Sequence, residues 1–287
     1  MGAKVPRLAP RLALLNTMKL IAVHALLTRA TARFFNNLSV GAVWALGVVV
    51  PASAATAAPT GAADSLALQA FSTAPEGAAP APWRAVGLPG NKVPVTEFQI
   101  LTLDGTRVLQ MRTQKSYGTL SHALPHRVPG PQTTLQWRWR LDQPLAHPNL
   151  RSKDGDDAAL KVCAMFDMPL ERLGFVERNV MRLARARSGE PLPAATLCYV
   201  WDPTLPPGTL LPNIYSARVR YLVLNGTEAP LKQWAAHSRN VQQDFLRAFG
   251  EESSSVPPLI AIVVGADADN TAGASLGYVG DVVLVEP

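Results

Sequence analysis

Between residues 98 and 285 the sequence is a succession of short strand-like runs separated by turn residues, a spacing that points to a β fold. Residues 98–103 and 107–111 flank Asp104-Gly105, a pair that tolerates the positive φ angles of a tight hairpin turn. Residues 133–141 alternate, with Leu135, Trp137, Trp139 and Leu141 on one side and Thr134, Gln136, Arg138 and Arg140 on the other. That is a strand with one core face and one wet face. Residues 158–166, 196–201 and 259–264 are apolar on both faces apart from Lys161, which predicts central strands. Residues 214–224 and 279–285 predict two more. Two helices interrupt the series. One, over residues 169–187, places Leu173, Val176, Val180, Leu183 and Ala184 at helical spacing behind Asp167 as a cap. The other follows Ser238 as a cap, with Val241, Phe245 and Phe249 four residues apart and Gly250 as terminator. Regular strand-helix-strand alternation is absent. The expected fold is all-β: a jelly-roll-like antiparallel β-sandwich with two inserted helices.

The N-terminus says where such a chain works. Residues 1–54 hold six Lys or Arg and no Asp or Glu, then an apolar run over 38–50, Pro51 and Ala52-Ser53-Ala54. A basic flank, a short apolar core and small residues at a cleavage point form an export signal. Met18-Lys19 offers an alternative, more compact start, and an uncleaved N-terminal membrane anchor is the alternative to cleavage. Without residues 1–54 the 27 Lys and Arg fall to 21 and balance the 21 Asp and Glu. The pI of about 9.6 therefore comes from the leader and gives no reason to expect a nucleic-acid partner. The mature part has no apolar run long enough to span a membrane. The expected organisation is residues 1–54 as signal peptide, 55–82 as an Ala/Pro-rich linker with a first strand at 65–71, and 83–287 as a single β-sandwich domain. The expected location is periplasmic or secreted. Cys163 and Cys198 lie in strand-like runs, and the sequence leaves open whether they form a disulfide or two small buried side chains.

Three polar segments could carry chemistry. Lys153-Asp154-Gly155-Asp156-Asp157 precedes a predicted central strand, and its adjacent carboxylates need a cation, a donor or a proton to sit together. The same composition also makes an ordinary Asp/Gly turn. Asp267-Ala268-Asp269-Asn270-Thr271 follows another central strand, and Asp267 and Asp269 place oxygens at alternate positions, as a hard cation such as Ca²⁺ prefers. The segment departs from the helix-loop-helix calcium loop, which needs Gly where Ala272 stands and Glu where Tyr278 stands. Arg239-Asn240-Val241 with Asp244 either structures a helix start or pairs with the 267 segment. His122, His126, His147 and His237 are too scattered for a metal motif, no Ser lies in G-x-S-x-G, and no Gly-rich loop opens a helix after a strand. No catalytic residue and no cofactor emerges. Trp137 and Trp139 share the core face of their strand, whereas Trp83 and Trp234 sit beside polar segments and are the better candidates for a sugar-stacking platform.

Several of these motifs occur together in a known order: Trp137-Arg138-Trp139, Lys153-x-Gly155-Asp156-Asp157, Phe166-Asp167, Tyr199-x-Trp201, Trp234, Arg239-Asn240-Val241-x-x-Asp244-Phe245, and Asp267-x-Asp269-Asn270-Thr271. In this the chain, from about residue 66 to 285, resembles the bacterial exported family catalogued as domain-of-unknown-function family 3047. The resemblance implies no activity, but it implies that the three polar segments are more than incidental turns. The overall order of elements is also similar to jelly-roll carbohydrate-binding modules, an architectural likeness. The expected function is a non-catalytic binding protein for a glycan or another envelope ligand. Its site would be a polar cluster of Lys153, Asp156, Asp157, Arg239, Asn240, Asp244, Asp267, Asp269 and Asn270. The alternatives are a polysaccharide-active enzyme pairing Asp156 or Asp157 with Asp267 or Asp269, and an envelope structural or assembly protein.

Overall fold

Thirteen strands in two facing sheets form the body of the protein, which is described here from a computed structural model over residues 68–188 and 192–286. The strands are β1 (Arg84–Val86), β2 (Glu97–Leu103), β3 (Thr106–Gln114), β4 (Tyr117–Arg127), β5 (Thr134–Gln143), β6 (Leu160–Phe166) and β7 (Ala195–Trp201). They continue as β8 (Leu210–Asn213), β9 (Ser216–Asn225), β10 (Ala235–Asn240), β11 (Leu259–Asp267), β12 (Ala274–Val279) and β13 (Val283–Val285). One sheet runs β1-β4-β11-β6-β7-β9-β8; the other runs β10-β5-β12-β3-β2, with β13 also on β5. The helices are α1 (Phe175–Ser188) and α2 (Val241–Phe249). The fold is the expected jelly-roll-like β-sandwich with two inserted helices. Its pairing is antiparallel except between β7 and β9, which run parallel because the short edge strand β8 returns the chain before β9 begins.

The local sequence explains the elements. Asp104 and Gly105 both take positive φ, 51° and 74°, and close the β2–β3 hairpin. On β5, Leu135, Trp137, Trp139 and Leu141 are all buried, as the alternation predicts. They face Leu160, Val162, Ala164 and Phe166 of β6 and Leu197, Tyr199 and Trp201 of β7 in the core between the sheets. Each fully buried Leu there stabilises the fold by about 1.5–3 kcal/mol. The opposite face of the seven-stranded sheet is also apolar. Cys163, Met165, Cys198, Val200, Tyr221 and Val263 form a second cluster on it, so β6, β7 and β11 are buried on both faces.

Several local expectations are corrected. The leader 1–54 and the start of the linker lie outside the described residues, as do residues 65–67 of the expected first strand. Residues 68–71 are not a strand, and β1 begins only at Arg84. Residues 68–82 are also packed: Phe71 is fully buried against Trp83, and Gly77 exchanges backbone hydrogen bonds with Ile100. The first helix starts at Phe175, after a single 3₁₀ turn at Leu170–Arg172, because Leu173 takes an extended conformation between them. Leu173 and Ala184 are buried with Met181, but Val176, Val180 and Leu183 face solvent. The second helix is capped by Asn240, whose side chain accepts from the Gln243 N–H, because Ser238 is still paired with β5.

Candidate functional site

The Asp156 and Asp267 segments meet because β6 and β11 are antiparallel neighbours, with Lys161 opposite Gly265. The loop entering β6 and the loop leaving β11 are therefore side by side. Asp157 joins them: its carboxylate accepts the backbone N–H groups of Asn270 at 3.2 Å and Thr271 at 2.6 Å. Asn270 returns a side-chain hydrogen bond to the Asp156 carbonyl at 2.8 Å. Asp267 accepts the Ala158 N–H at 2.9 Å and pairs with the Lys161 ammonium at 2.9 Å. Both partners of this ion pair are buried. Burial pushes the Lys161 ammonium down, but the Asp267 charge, the charges of Tyr117 and Asp156 and the hydrogen bond to Asp267 together outweigh it and hold the group above its ordinary range. Gly265 is what lets the Lys161 stem cross β11, since a Cβ there would stand 2.7 Å from Thr119 and 3.2 Å from the Lys161 side chain.

Asp157, Asp267 and Asp269 each bring one carboxylate oxygen within 4.8 Å of the others. Burial, then the Asp267 charge, push the Asp157 carboxyl up to about 6, against the backbone N–H bonds that lower it. By ligand type three such oxygens suit a hard cation. Lys161 already supplies positive charge at Asp267, and Asp157 is engaged with two backbone donors, so the cluster holds together as a latch between two loops.

Beside this latch a pocket opens on the outer face of the seven-stranded sheet. Its floor is apolar: a disulfide between Cys163 and Cys198, which stand opposite each other on β6 and β7, with Met165, Val219 and Val263. Its walls carry Tyr117 and Thr119 from β4, Lys161 and Asp267 from the latch, Asp156 from the loop, and Asn213, Tyr215 and Tyr221 from β8, β9 and the turn between them. Asn213 Nδ2 donates to Asp156 at 2.7 Å, and the Tyr221 hydroxyl donates to Asp156 at 3.4 Å. The Tyr215 hydroxyl donates to the Lys153 carbonyl at 2.7 Å, while the Lys153 ammonium lies 5.8 Å from the centre of the same ring. Burial raises the Tyr117 hydroxyl to about 12; Lys161 lowers it, and Asp267, Asp269 and Asp156 raise it further. Burial and the surrounding carboxylates likewise raise Tyr215 to about 12. Thr119 and Thr196, 2% and 3% exposed, also line the pocket, and their enclosed hydroxyls have no hydrogen-bond partner among the described residues.

Arg239, Asn240 and Asp244 lie elsewhere. The Asp244 carboxylate accepts two bonds from Arg239, at 2.6 and 2.8 Å, and one from the Tyr199 hydroxyl at 2.9 Å. Tyr199 faces the core, whereas its neighbour Cys198 faces the pocket, so the sheet itself separates the two groups. Asn240 is spent on capping α2 and on the Pro131 carbonyl. The expectation of one cluster built from three segments is thus corrected to two segments and an independent triad in which Tyr199 and Asp244 are buried and Arg239 is half-buried. The aromatic platform is corrected too. Trp83 is buried with its Nε1 on the Gln69 carbonyl, and Arg138 lies 4.6 Å over the Trp234 ring. The sequence reading missed Tyr117, Asn213, Tyr215, Tyr221, Thr119 and Thr196. The one available signal was Lys161, a charge in an otherwise apolar strand.

A family model described as "Protein of unknown function (DUF3047)" matches residues 81–283. No functionally curated protein matches. Among solved structures, a carbohydrate-binding module, TmCBM61 in complex with beta-1,4-galactotriose, aligns at 9% identity and TM-score 0.30, over 72% of this chain and 90% of that one. Trichoderma harzianum endoglucanase 3 from family GH12 aligns at 10% identity and TM-score 0.36, over 72% of this chain and 100% of that one. An adhesin domain of Lys-gingipain from Porphyromonas gingivalis aligns at 8% identity and TM-score 0.31, over 72% and 93%. At these scores the alignments carry no argument about function.

Proposed function

We propose that this chain, which belongs to the DUF3047 family of proteins of unknown function, is a binding module whose ligand site is the pocket above the Cys163–Cys198 disulfide. The observation that carries the reading is the pairing of an apolar floor with a wall that carries the polar groups of Asp156, Asn213, Tyr215 and Tyr221. An apolar surface with a few placed polar groups is the usual make-up of a small-ligand site. A glycan is the ligand class we assign. A sugar ring offers a C–H face to an apolar floor and a rim of hydroxyls to Asp156, Asn213 and Tyr221. Acid-base catalysis fits less well, because Asp157 is engaged with two backbone N–H groups and Asp267 with Lys161 and Ala158.

We place this binding outside the cytoplasm, in the periplasm or after secretion. The basic, then apolar, then small-residue N-terminus and the disulfide support that location. Among the described residues no helix is long and apolar enough to cross a membrane. The reading is tested by titrating the full chain against a panel of oligosaccharides by calorimetry, with Tyr221→Phe and Thr196→Val as pocket variants and Trp234→Ala as a control away from the pocket. Binding that weakens about tenfold in the pocket variants and stays unchanged in the control supports it. A folded protein that retains no oligosaccharide sinks it.

A further inference from the structure

We infer that the outer face of α1 is a docking surface for an anionic phospholipid bilayer; the inference stands apart from the pocket. A helix on a protein surface normally turns its apolar side chains inward, and α1 does so only in part. Met181 and Ala184 pack against the body, but Phe175 and Val176 are 77% and 73% exposed, and Val180 and Leu183 are exposed with them. Val176, Val180 and Leu183 are four and three residues apart, so they form one apolar stripe with Phe175 at its start.

A row of arginines accompanies that stripe. Arg178, Arg182 and Arg185 are also four and three residues apart. From residue 167 to 188 the sequence holds five Arg against Asp167, Glu171 and Glu177. The nearby carboxylates leave the row largely uncompensated. Glu177 pairs with Arg218 of β9 at 3.2 Å, and Asp167 is shared between Arg185, at 3.7 Å, and His126, at 3.5 Å. Arg178 donates to the carbonyls of Glu171 and Leu173. Arg182 is exposed and has no carboxylate within ion-pair distance among the described residues. An apolar stripe and a cationic row on one water-facing helix match a membrane interface. The apolar side chains would enter the boundary between headgroups and acyl chains, and the guanidinium groups would meet lipid phosphates. A purely apolar partner would leave the arginines unmatched, and a second copy of α1 would set like charges side by side. Side chains that project this far also suit a plane, whereas a docked peptide needs a groove.

The experiment uses residues 55–287, which keep every described residue and omit the basic, apolar leader that would bind vesicles by itself. The probes are sucrose-loaded vesicles of equal parts phosphatidylglycerol and phosphatidylcholine, and of phosphatidylcholine alone, sedimented in low and high salt. Partitioning onto the anionic vesicles should be about tenfold stronger than onto the neutral ones, and high salt should remove most of that preference. Phe175→Ser with Val176→Ser should weaken the anionic partitioning about tenfold, and Arg182→Gln about fivefold. These side chains already meet water, so the variants should keep the wild-type urea midpoint. Leu231→Ser is the control. Leu231 is also apolar and exposed, but it follows β9, which ends beside Trp201 and so at the Leu160 end of β6, whereas α1 follows the Phe166 end. It should change nothing. Equal partitioning onto both vesicles, none onto either, or partitioning that ignores the α1 substitutions overturns the inference. A dimer on gel filtration that Phe175→Ser with Val176→Ser dissolves, without vesicle binding, overturns it too and makes a second copy the occupant.

Discussion

Lys161 shows how one side chain holds two distant loops. It is nearly inaccessible, it neutralises an equally inaccessible Asp267, and Asp267 also holds the backbone N–H of Ala158, two residues before β6. Removing one member of such a pair leaves the other charge buried alone, which costs about 3–5 kcal/mol. Lys161→Met should lose about that much in urea denaturation, and Lys161→Met combined with Asp267→Asn should lose less than Lys161→Met alone. A double variant that is worse than both single variants would show that the ion pair is not the main role of these residues. His237 offers a second prediction, in pH. It lies against Trp137 and Trp139, with Nε2 2.8 Å from the Asn225 side-chain oxygen. Burial, then the Arg239 charge, lower it to about 4 from an ordinary 6.5. The unfolded chain therefore takes up a proton between those values while the folded chain does not, so His237 stabilises above pH 6.5 and that contribution fades as pH falls toward 4. His237→Gln keeps a hydrogen-bond donor without the titration, so its urea midpoint should drop less than the wild type's between pH 7 and pH 5. At this scale the sequence showed Lys161, Asp156, Asp157 and Asp267, because charges beside apolar runs stand out. It hid Tyr117 and Tyr221, because an aromatic residue on a strand reads equally well as core or as wall until the face is known.

At the scale of elements, strands were legible and helix faces were not. A strand has only two faces, so the alternation of β5 assigns its burial directly. A helix presents a continuous rim, and a small rotation changes which apolar residues it buries. In α1 the buried stripe is Met181 and Ala184, while Phe175, Val176, Val180 and Leu183 are 77, 73, 46 and 51% exposed. Spacing alone could not separate the two stripes, since both recur every three or four residues. The difference is measurable. Val180→Ser should change stability by no more than about 0.5 kcal/mol, because the side chain already meets water, whereas Met181→Ala should cost about 2–5 kcal/mol through the lost packing. Equal losses on urea titration would place Val180 in a contact the fold does not show. The cap of α2 followed similar logic. Ser238 and Asn240 are both good capping residues, and the choice was made by β10, which stays paired to β5 as far as Asn240 opposite Thr134. Pairing between distant strands fixed where the helix could start, and that pairing is not written locally.

For the whole molecule, the hairpin and the central strands follow from short-range sequence, but which ends meet follows from sheet order. The Asp156 and Asp267 loops converge because β6 and β11 are hydrogen-bonded neighbours, and Asp244 stays apart because its helix covers the core face of β7. The same dependence on assembly redraws the domain's N-terminal edge. Composition makes residues 55–82 look like a linker, since Ala, Pro, Thr and Gly give no periodic pattern. Yet Phe71 is fully buried on Trp83, Leu68 and Ala74 are buried beside it, and Ser72 donates twice to Asp281 near the far end of the chain. A single aromatic anchor among small residues carries no period, and the partner of Ser72 beside it is 209 positions away. The folding unit therefore has to include residues 68–82. Phe71→Ala should cost about 3–5 kcal/mol, the range for deleting a fully buried Phe. A chain beginning at residue 83 should unfold at lower urea than one beginning at residue 65, and its tryptophan emission should shift to the red as Trp83 loses its cover. Matching midpoints and matching emission for the two chains would return this segment to the status of a linker.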